Sequence, residues 1–196
     1  MNKIHSKNHF ADQTFSMVKS FASRGNLLDS STIEGLAESK NLDDMLVKLR
    51  GTVYADVVSS IEPPLTSNKF EMSFHRHLSQ IHHKLMNVTP KNEILTAYYL
   101  KYIASNLKIL LKGRAQNKSD EEISKHIDMY AEELMGRRDL IVKALSAENI
   151  EQTITLLKKS EFGENVISAL DIYKKTSEFQ IFDIFIDKAY FDYILS

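Results

Sequence analysis

The chain has 196 residues, with 25 Lys+Arg against 26 Asp+Glu and a formal charge of −1 at pH 7. That balance leaves no global field to draw it onto nucleic acid or anionic lipid, so nucleic acid is not an expected partner. The absence of cysteine excludes a disulfide scaffold, a thiol nucleophile and cysteine-held iron–sulfur or zinc sites, and 6 Gly with 3 Pro are too few turn residues for a β-sandwich or barrel.

Apolar residues recur three and four positions apart almost throughout, as in Phe15, Val18, Phe21 and in Leu107, Leu110, Leu111. The expected fold class is all-α. In chain order the spacing predicts helices over 8–24, 31–39, 42–50, 53–61, 68–87, 90–114, 119–135, 138–145, 149–159, 161–175 and 178–195. Ser31 precedes Glu34 by three, Ser119 precedes Glu122, and Ser177 precedes Gln180. Each pair is a candidate capping box, in which the Ser oxygen takes an orphan amide and the later side chain reaches back. Thr89-Pro90 reads as an N-cap followed by a proline at the first helical position, and Asn41 and Asn149 as further N-caps. Breaks are expected at 61–68, which holds Pro63-Pro64, at 86–90 and at 113–119. Thr52-Val53-Tyr54 is a β-rich run too short to build a sheet. Met1 to Phe10 has no apolar core of signal-peptide type, and no stretch of eighteen or more apolar residues occurs, so the expected compartment is cytoplasmic.

The sequence resembles itself at a fixed offset. Asn149 lies 108 residues beyond Asn41, and at that offset Leu46 meets Ile154, Leu49 meets Leu157, Arg50 meets Lys158, Tyr54 meets Phe162, Asp56 meets Glu164 and Val58 meets Val166. The register continues past the proline loop, where Phe74 meets Phe182 and Leu78 meets Ile186. Upstream, an offset of 89 sets Val18 on Leu107, Lys19 on Lys108 and Phe21 on Leu110; the difference of 19 is an insertion in the second copy. The chain therefore divides into two related helical repeat units, residues 1–88 and residues 89–196, the second carrying an inserted helix near 119–135. It stops where a third copy would begin.

The same residues carry a family resemblance. Segment 15–28 (Phe-Ser-Met-Val-Lys-Ser-Phe-Ala-Ser-Arg-Gly-Asn-Leu-Leu) and segment 42–54 (Leu-Asp-Asp-Met-Leu-Val-Lys-Leu-Arg-Gly-Thr-Val-Tyr) look like the opening of the C subunit of archaeal-type (A-type) ATP synthases, the relative of the d subunit of the V-type ATPase. Segment 98–114, from Tyr98-Tyr99 through Asn106-Leu107-Lys108 to Gly113-Arg114, resembles a helix that recurs in that family. Glu161-Phe162-Gly163 and Ile186-Asp187-Lys188-Ala189-Tyr190-Phe191 are similar to its later landmarks. The resemblance implies three helical units around a pseudo-threefold axis, forming a funnel. It implies a non-catalytic central-stalk subunit, peripheral on the cytoplasmic face of the membrane, that couples the rotor shaft to the ion-translocating ring. The partners implied are the rotor-shaft subunits and the membrane rotor ring, with membrane contact only through the ring. This sequence departs from the pattern in holding two units rather than three.

No residue set in the chain demands catalysis. His75, His77, His82 and His83 fall in one predicted helix, but His75 and His82 stand two turns apart, roughly 10 Å, too far for one metal. A partly exposed polar face explains them. Gly25, Gly35, Gly51, Gly113, Gly136 and Gly163 are too scattered for a phosphate-cradling loop, so no cofactor is expected. The acidic pairs Asp43-Asp44, Glu121-Glu122 and Glu132-Glu133 read as solvated helix faces. Lys108, Lys112 and Arg114 form a cationic helix end, suited to the helix dipole or to a partner's acidic surface. Tyr98, Tyr99 and Tyr102 read as packing residues. The last helix is apolar around most of its girth, leaving a stripe of Asp183, Asp187, Lys188 and Asp192. It is either a core helix or a face meant for another unit, and on the second reading Phe182, Phe185 and Tyr190 form an interface that also drives self-association. The alternatives to an ATPase subunit are a helical interaction module outside any ATPase and, more distantly, an enzyme built on the His75–His83 helix.

Overall fold

Short polar side chains that take up orphan amides set many of the helix starts. The computed structural model describes residues 4–89 and 93–195. Among them are twelve α-helices and no strand. They are α1 (Ile4–Gly25), α2 (Ser30–Ala37), α3 (Leu42–Arg50), α4 (Ala55–Ser59), α5 (Ser67–Val88), α6 (Glu93–Ala115), α7 (Asp120–Ser124), α8 (Tyr130–Leu134), α9 (Arg138–Leu145), α10 (Ile150–Leu157), α11 (Gly163–Thr176) and α12 (Ile181–Leu195). The all-α class expected from the sequence holds.

Asn41 and Asn149 cap α3 and α10, accepting from the Asp44 and Gln152 amides at 2.9 Å each. Ser119 and Glu122 form a full capping box at the start of α7. The other two expected boxes do not form. Asp29, not Ser31, caps α2, because its carboxylate accepts from both Thr32 N–H (2.7 Å) and the Ser31 hydroxyl (3.0 Å). Ser177 ends α11 in the left-handed region (φ 60°) instead of opening the next helix. Thr89 likewise closes α5, its hydroxyl donating to the Leu85 carbonyl (2.7 Å); Pro90 lies outside the described residues. The single helix expected over 119–135 is two short helices. Asp128 breaks it: its backbone carbonyl and amide both bond Asn106, and its carboxylate accepts from Tyr130 N–H in a local turn.

The chain forms two compact units, Met1–Asn92 and Glu93–Ser196. In the first, Leu46, Leu49, Val58 and Ile61 form a small core, with Leu28, Leu36, Tyr54, Phe70 and Phe74 packed around it. Helix α1 lies on α5 through Ser16, whose hydroxyl donates to the Val88 carbonyl. In the second, α6 runs through a larger core closed by α9, α10, α11 and α12.

Several local details recur 108 residues apart. Lys40 N–H donates to Asp44 and Glu148 N–H to Gln152, so at both caps the later side chain reaches back to the residue before the asparagine. The hydroxyls of Thr52 and Ser160 donate to the Leu49 and Leu157 carbonyls at 2.7 Å each, and accept from the Tyr54 and Phe162 amides. Helices α3, α4 and α5 follow one another as α10, α11 and α12 do. The likeness weakens farther on: Leu78 is 48% exposed where Ile186 is fully buried.

Two glycines test how tightly these turns are built. A Cβ on Gly163 would stand 2.2 Å from the Lys158 carbonyl oxygen, whereas one on Gly35 would meet nothing within 4 Å. Gly163→Ala should destabilise the chain by about 1–3 kcal/mol. Gly35→Ala, inside α2, should stabilise it by about 0.5–1 kcal/mol. Urea denaturation of the two variants checks both signs.

Candidate functional site

Helix α6 presents Lys108 and Lys112 one turn apart, and α12 presents Asp183 and Asp187 in the same way. The helices run antiparallel, so Lys108 meets Asp187 at 2.5 Å and Lys112 meets Asp183 at 2.9 Å. Arg114 is buried, bonded to the Asp120 carboxylate and the Leu145 carbonyl. All three cations of the expected cationic end are thus engaged within their own unit, and the reading of them as a patch for a partner's acidic surface is corrected. The sequence held a signal for this that was missed: two lysines and two aspartates, each pair spaced by four.

The same packing decides the last helix. Phe182 is fully buried and Tyr190 nearly so, while Phe185 packs partly covered against the same core. Phe182 contacts the Tyr173 ring (centroids 5.4 Å), and the Tyr190 hydroxyl donates to the Tyr98 carbonyl (3.4 Å). These three side chains face the unit's own interior. The opposite side of α12 carries Ile184 (61% exposed) and Phe191 (57% exposed), seven positions apart and so on one face. A second apolar stripe lies on α1, where Phe15, Val18 and Phe21 are more than half exposed while Ser16 points inward. Residues three apart share a helix face, and Ser16 lies on the other side.

The histidines divide. His75 is exposed and His82 is buried, so the expected polar face covers only part of the helix. His77 stands edge-on to Tyr54 (5.6 Å), and burial, then Lys84, lower its pKa. Among the described residues no cluster of three His, Asp or Glu could hold a metal ion. Tyr99 is buried with its hydroxyl on the Ala131 carbonyl (3.1 Å). Tyr102 is pushed up to about 12 by burial, then by Tyr98 and Tyr190. Of the acidic pairs, Glu132-Glu133 is not a solvated face. Glu133 reaches Arg138 (3.3 Å), but Glu132 is fully buried, accepting from the Asn106 side chain at 2.6 Å.

Residues 18–196 match the family model described as "ATP synthase (C/AC39) subunit". The chain is 26% identical over 162 residues to the C subunit of the A-type ATP synthase of Methanocaldococcus jannaschii, covering 80% of this chain and 40% of that protein. It is 23% identical over 159 residues to the corresponding C subunit of Methanosphaera stadtmanae (78% and 41% covered), and 25% identical over 158 residues to that of Methanothermobacter thermautotrophicus (77% and 40%). The chain thus spans about two fifths of the length of the curated relatives it matches. No solved structure matches it.

The split among the histidines has a measurable consequence. His75→Gln should change stability by less than about 0.5 kcal/mol, as an exposed site does. His82→Gln should cost roughly 1–3 kcal/mol, because it reshapes a buried polar position. Equal, small effects from both in chemical denaturation would contradict the burial of His82.

Proposed function

The chain belongs to the ATP synthase (C/AC39) subunit family, and from that premise we propose that it is a non-catalytic central-stalk component. In this reading it connects rotor-shaft subunits to the membrane rotor ring, on the cytoplasmic face and without entering the bilayer itself. The single observation that carries the reading is the family match across residues 18–196. No helix among the described residues is long and apolar enough to cross a membrane. The internal use of charge is consistent with a connecting role: Lys108, Lys112 and Arg114 join elements of the second unit to one another.

The proposal extends to the architecture and the contact surface. The recurring caps and turn bonds 108 residues apart support two copies of one helical module, divided near residue 88, the second with an insertion between α6 and α9. The partner-facing surface moves from Phe182, Phe185 and Tyr190 to the outer side of the same helix, at Ile184 and Phe191, where apolar area is exposed. That surface also serves for the proposed self-association.

Sedimentation of the chain with and without rotor-shaft and ring subunits of an A-type ATP synthase tests both levels. We expect co-sedimentation, reduced at least tenfold by Ile184→Asp with Phe191→Asp, while the circular dichroism of that variant stays native. Phe182→Ala should instead cost about 3–5 kcal/mol of stability. Failure to bind either kind of subunit would overturn the stalk reading. Binding that ignores the α12 substitutions would overturn only the surface.

A further inference from the structure

Glu132 lies in α8, a helix of five residues, with its side chain fully out of solvent. One carboxyl oxygen accepts from Asn106 Nδ2 at 2.6 Å, and the other, also buried, has no hydrogen-bond partner among the described residues. Asn106 has nothing more to offer: its other N–H goes to the Asp128 carbonyl (2.8 Å) and its oxygen accepts from Asp128 N–H (3.3 Å).

The charged groups around this carboxyl are either acids or committed elsewhere. Asp128 and Glu133 are the nearby acids, and both oppose a negative charge on Glu132. Of the cations that follow α8, Arg137 is held by Glu161 (2.7 Å) and Arg138 by Glu133 (3.3 Å). On α6, which packs against α8, Lys108 and Lys112 are held by α12 and Arg114 by Asp120. Lys101 sits over the Tyr98 and Tyr102 rings. Just past α7, Lys125 pairs with Glu121, and Glu122 accepts from the Ser119 amide in the capping box.

We propose that Glu132 is a proton-operated latch: as the neutral acid it keeps the segment between α6 and α9 closed on α6, and its ionisation lets that segment open. A neutral carboxyl in this site leaves one hydroxyl without an acceptor. An ionised one leaves a full charge with no counter-ion among the described residues, which costs far more. Two short helices cannot hold themselves and depend on this docking. Their other ties to α6 include the two Asn106–Asp128 bonds, Tyr99 to the Ala131 carbonyl, Arg114 to Asp120, and Ile123 packed where Gly113 leaves room. The segment is therefore suited to open as a local unit while the core of α6, α11 and α12 stays folded.

The direction of the effect follows from burial, which, despite the opposing Asn106 bond, raises the Glu132 pKa above the ordinary 4.5. An acid raised in the closed state gives its full stabilisation below 4.5, and that stabilisation is lost as pH rises through the raised value. Across that interval the opening equilibrium grows up to about tenfold per pH unit.

Hydrogen exchange on the intact chain, compared as protection factors at about pH 5 and about pH 8, tests the latch. Amides of residues 120–135 should lose protection as pH rises, those of α10 and α11 should not, and Glu132→Gln should remove the slope. Unchanged protection of 120–135 between the two pH values, or a Gln variant that keeps the wild-type slope, would sink the proposal. If the Gln variant does not fold, a carboxyl carbon NMR titration of the unmodified chain decides. A Glu132 midpoint above 4.5 supports the latch, and one at or below it overturns it.

Discussion

A helix set deep in a core keeps a buried polar group only where a neighbour answers it, and α6 imposes that condition on the second unit. Ile103, Ala104, Leu107, Leu110 and Leu111 are all buried, and so are the polar side chains of Asn106 and Arg114. Asn106, the Lys108–Lys112 pair and Arg114 therefore select three different neighbours. Asn106 takes the segment around Asp128 and Glu132, Lys108 and Lys112 take α12, and Arg114 takes Asp120 and the end of α9. At the helix end, the Ala115 carbonyl accepts from the Tyr173 hydroxyl of α11 (2.8 Å). The hydrophobic effect brings these elements together without direction. The polar groups decide which element goes where.

The first unit shows what happens without such a centre. At an offset of 89, Val18 and Phe21 correspond to Leu107 and Leu110, and the residue types agree. Their surroundings do not: the pair on α6 is fully buried, and the pair on α1 is about three-fifths exposed. Burying a large apolar side chain contributes roughly 1.5–3 kcal/mol. The core around Leu46, Leu49, Val58 and Ile61 gains that from α3 and α4, while Val18 and Phe21 of α1 gain little of it. The two units thus share local grammar and differ in how far it is used to fill a core.

This contrast marks what was legible in the sequence. The Asn41 and Asn149 caps and the Ser119 box were readable because every group that decides them lies within four residues. The Ser31 and Ser177 boxes failed on equally local grounds: Asp29 is the better acceptor, and Ser177 takes a left-handed turn that a three-residue spacing does not reveal. The break at Asp128 was not legible, because its partner Asn106 stands 22 positions away. Burial of Glu132 was hidden for the same reason. The inward side of α12 could not be chosen from composition, since apolar residues surround the helix. Only the match of Asp183 and Asp187 to Lys112 and Lys108 picks the side, and that match lies 71 and 79 residues away.

Those two ion pairs also say what kind of object the second unit is. Both are partly exposed, so each contributes no more than about 1 kcal/mol to stability. Their value lies in register. The pairing is antiparallel, the earlier lysine on the later aspartate and the later lysine on the earlier one, so sliding α12 by one turn along α6 keeps one contact and strands the other two charges. The same slide would drive Phe182 and Ile186, both fully buried, out of a packed core that does not deform continuously. A pair of long helices fixed in this way resists sliding at two levels, electrostatic at the rim and steric within. The proposed stalk role would draw on this property more than on a high total stability, because force applied along a helix is lost wherever two elements can slip.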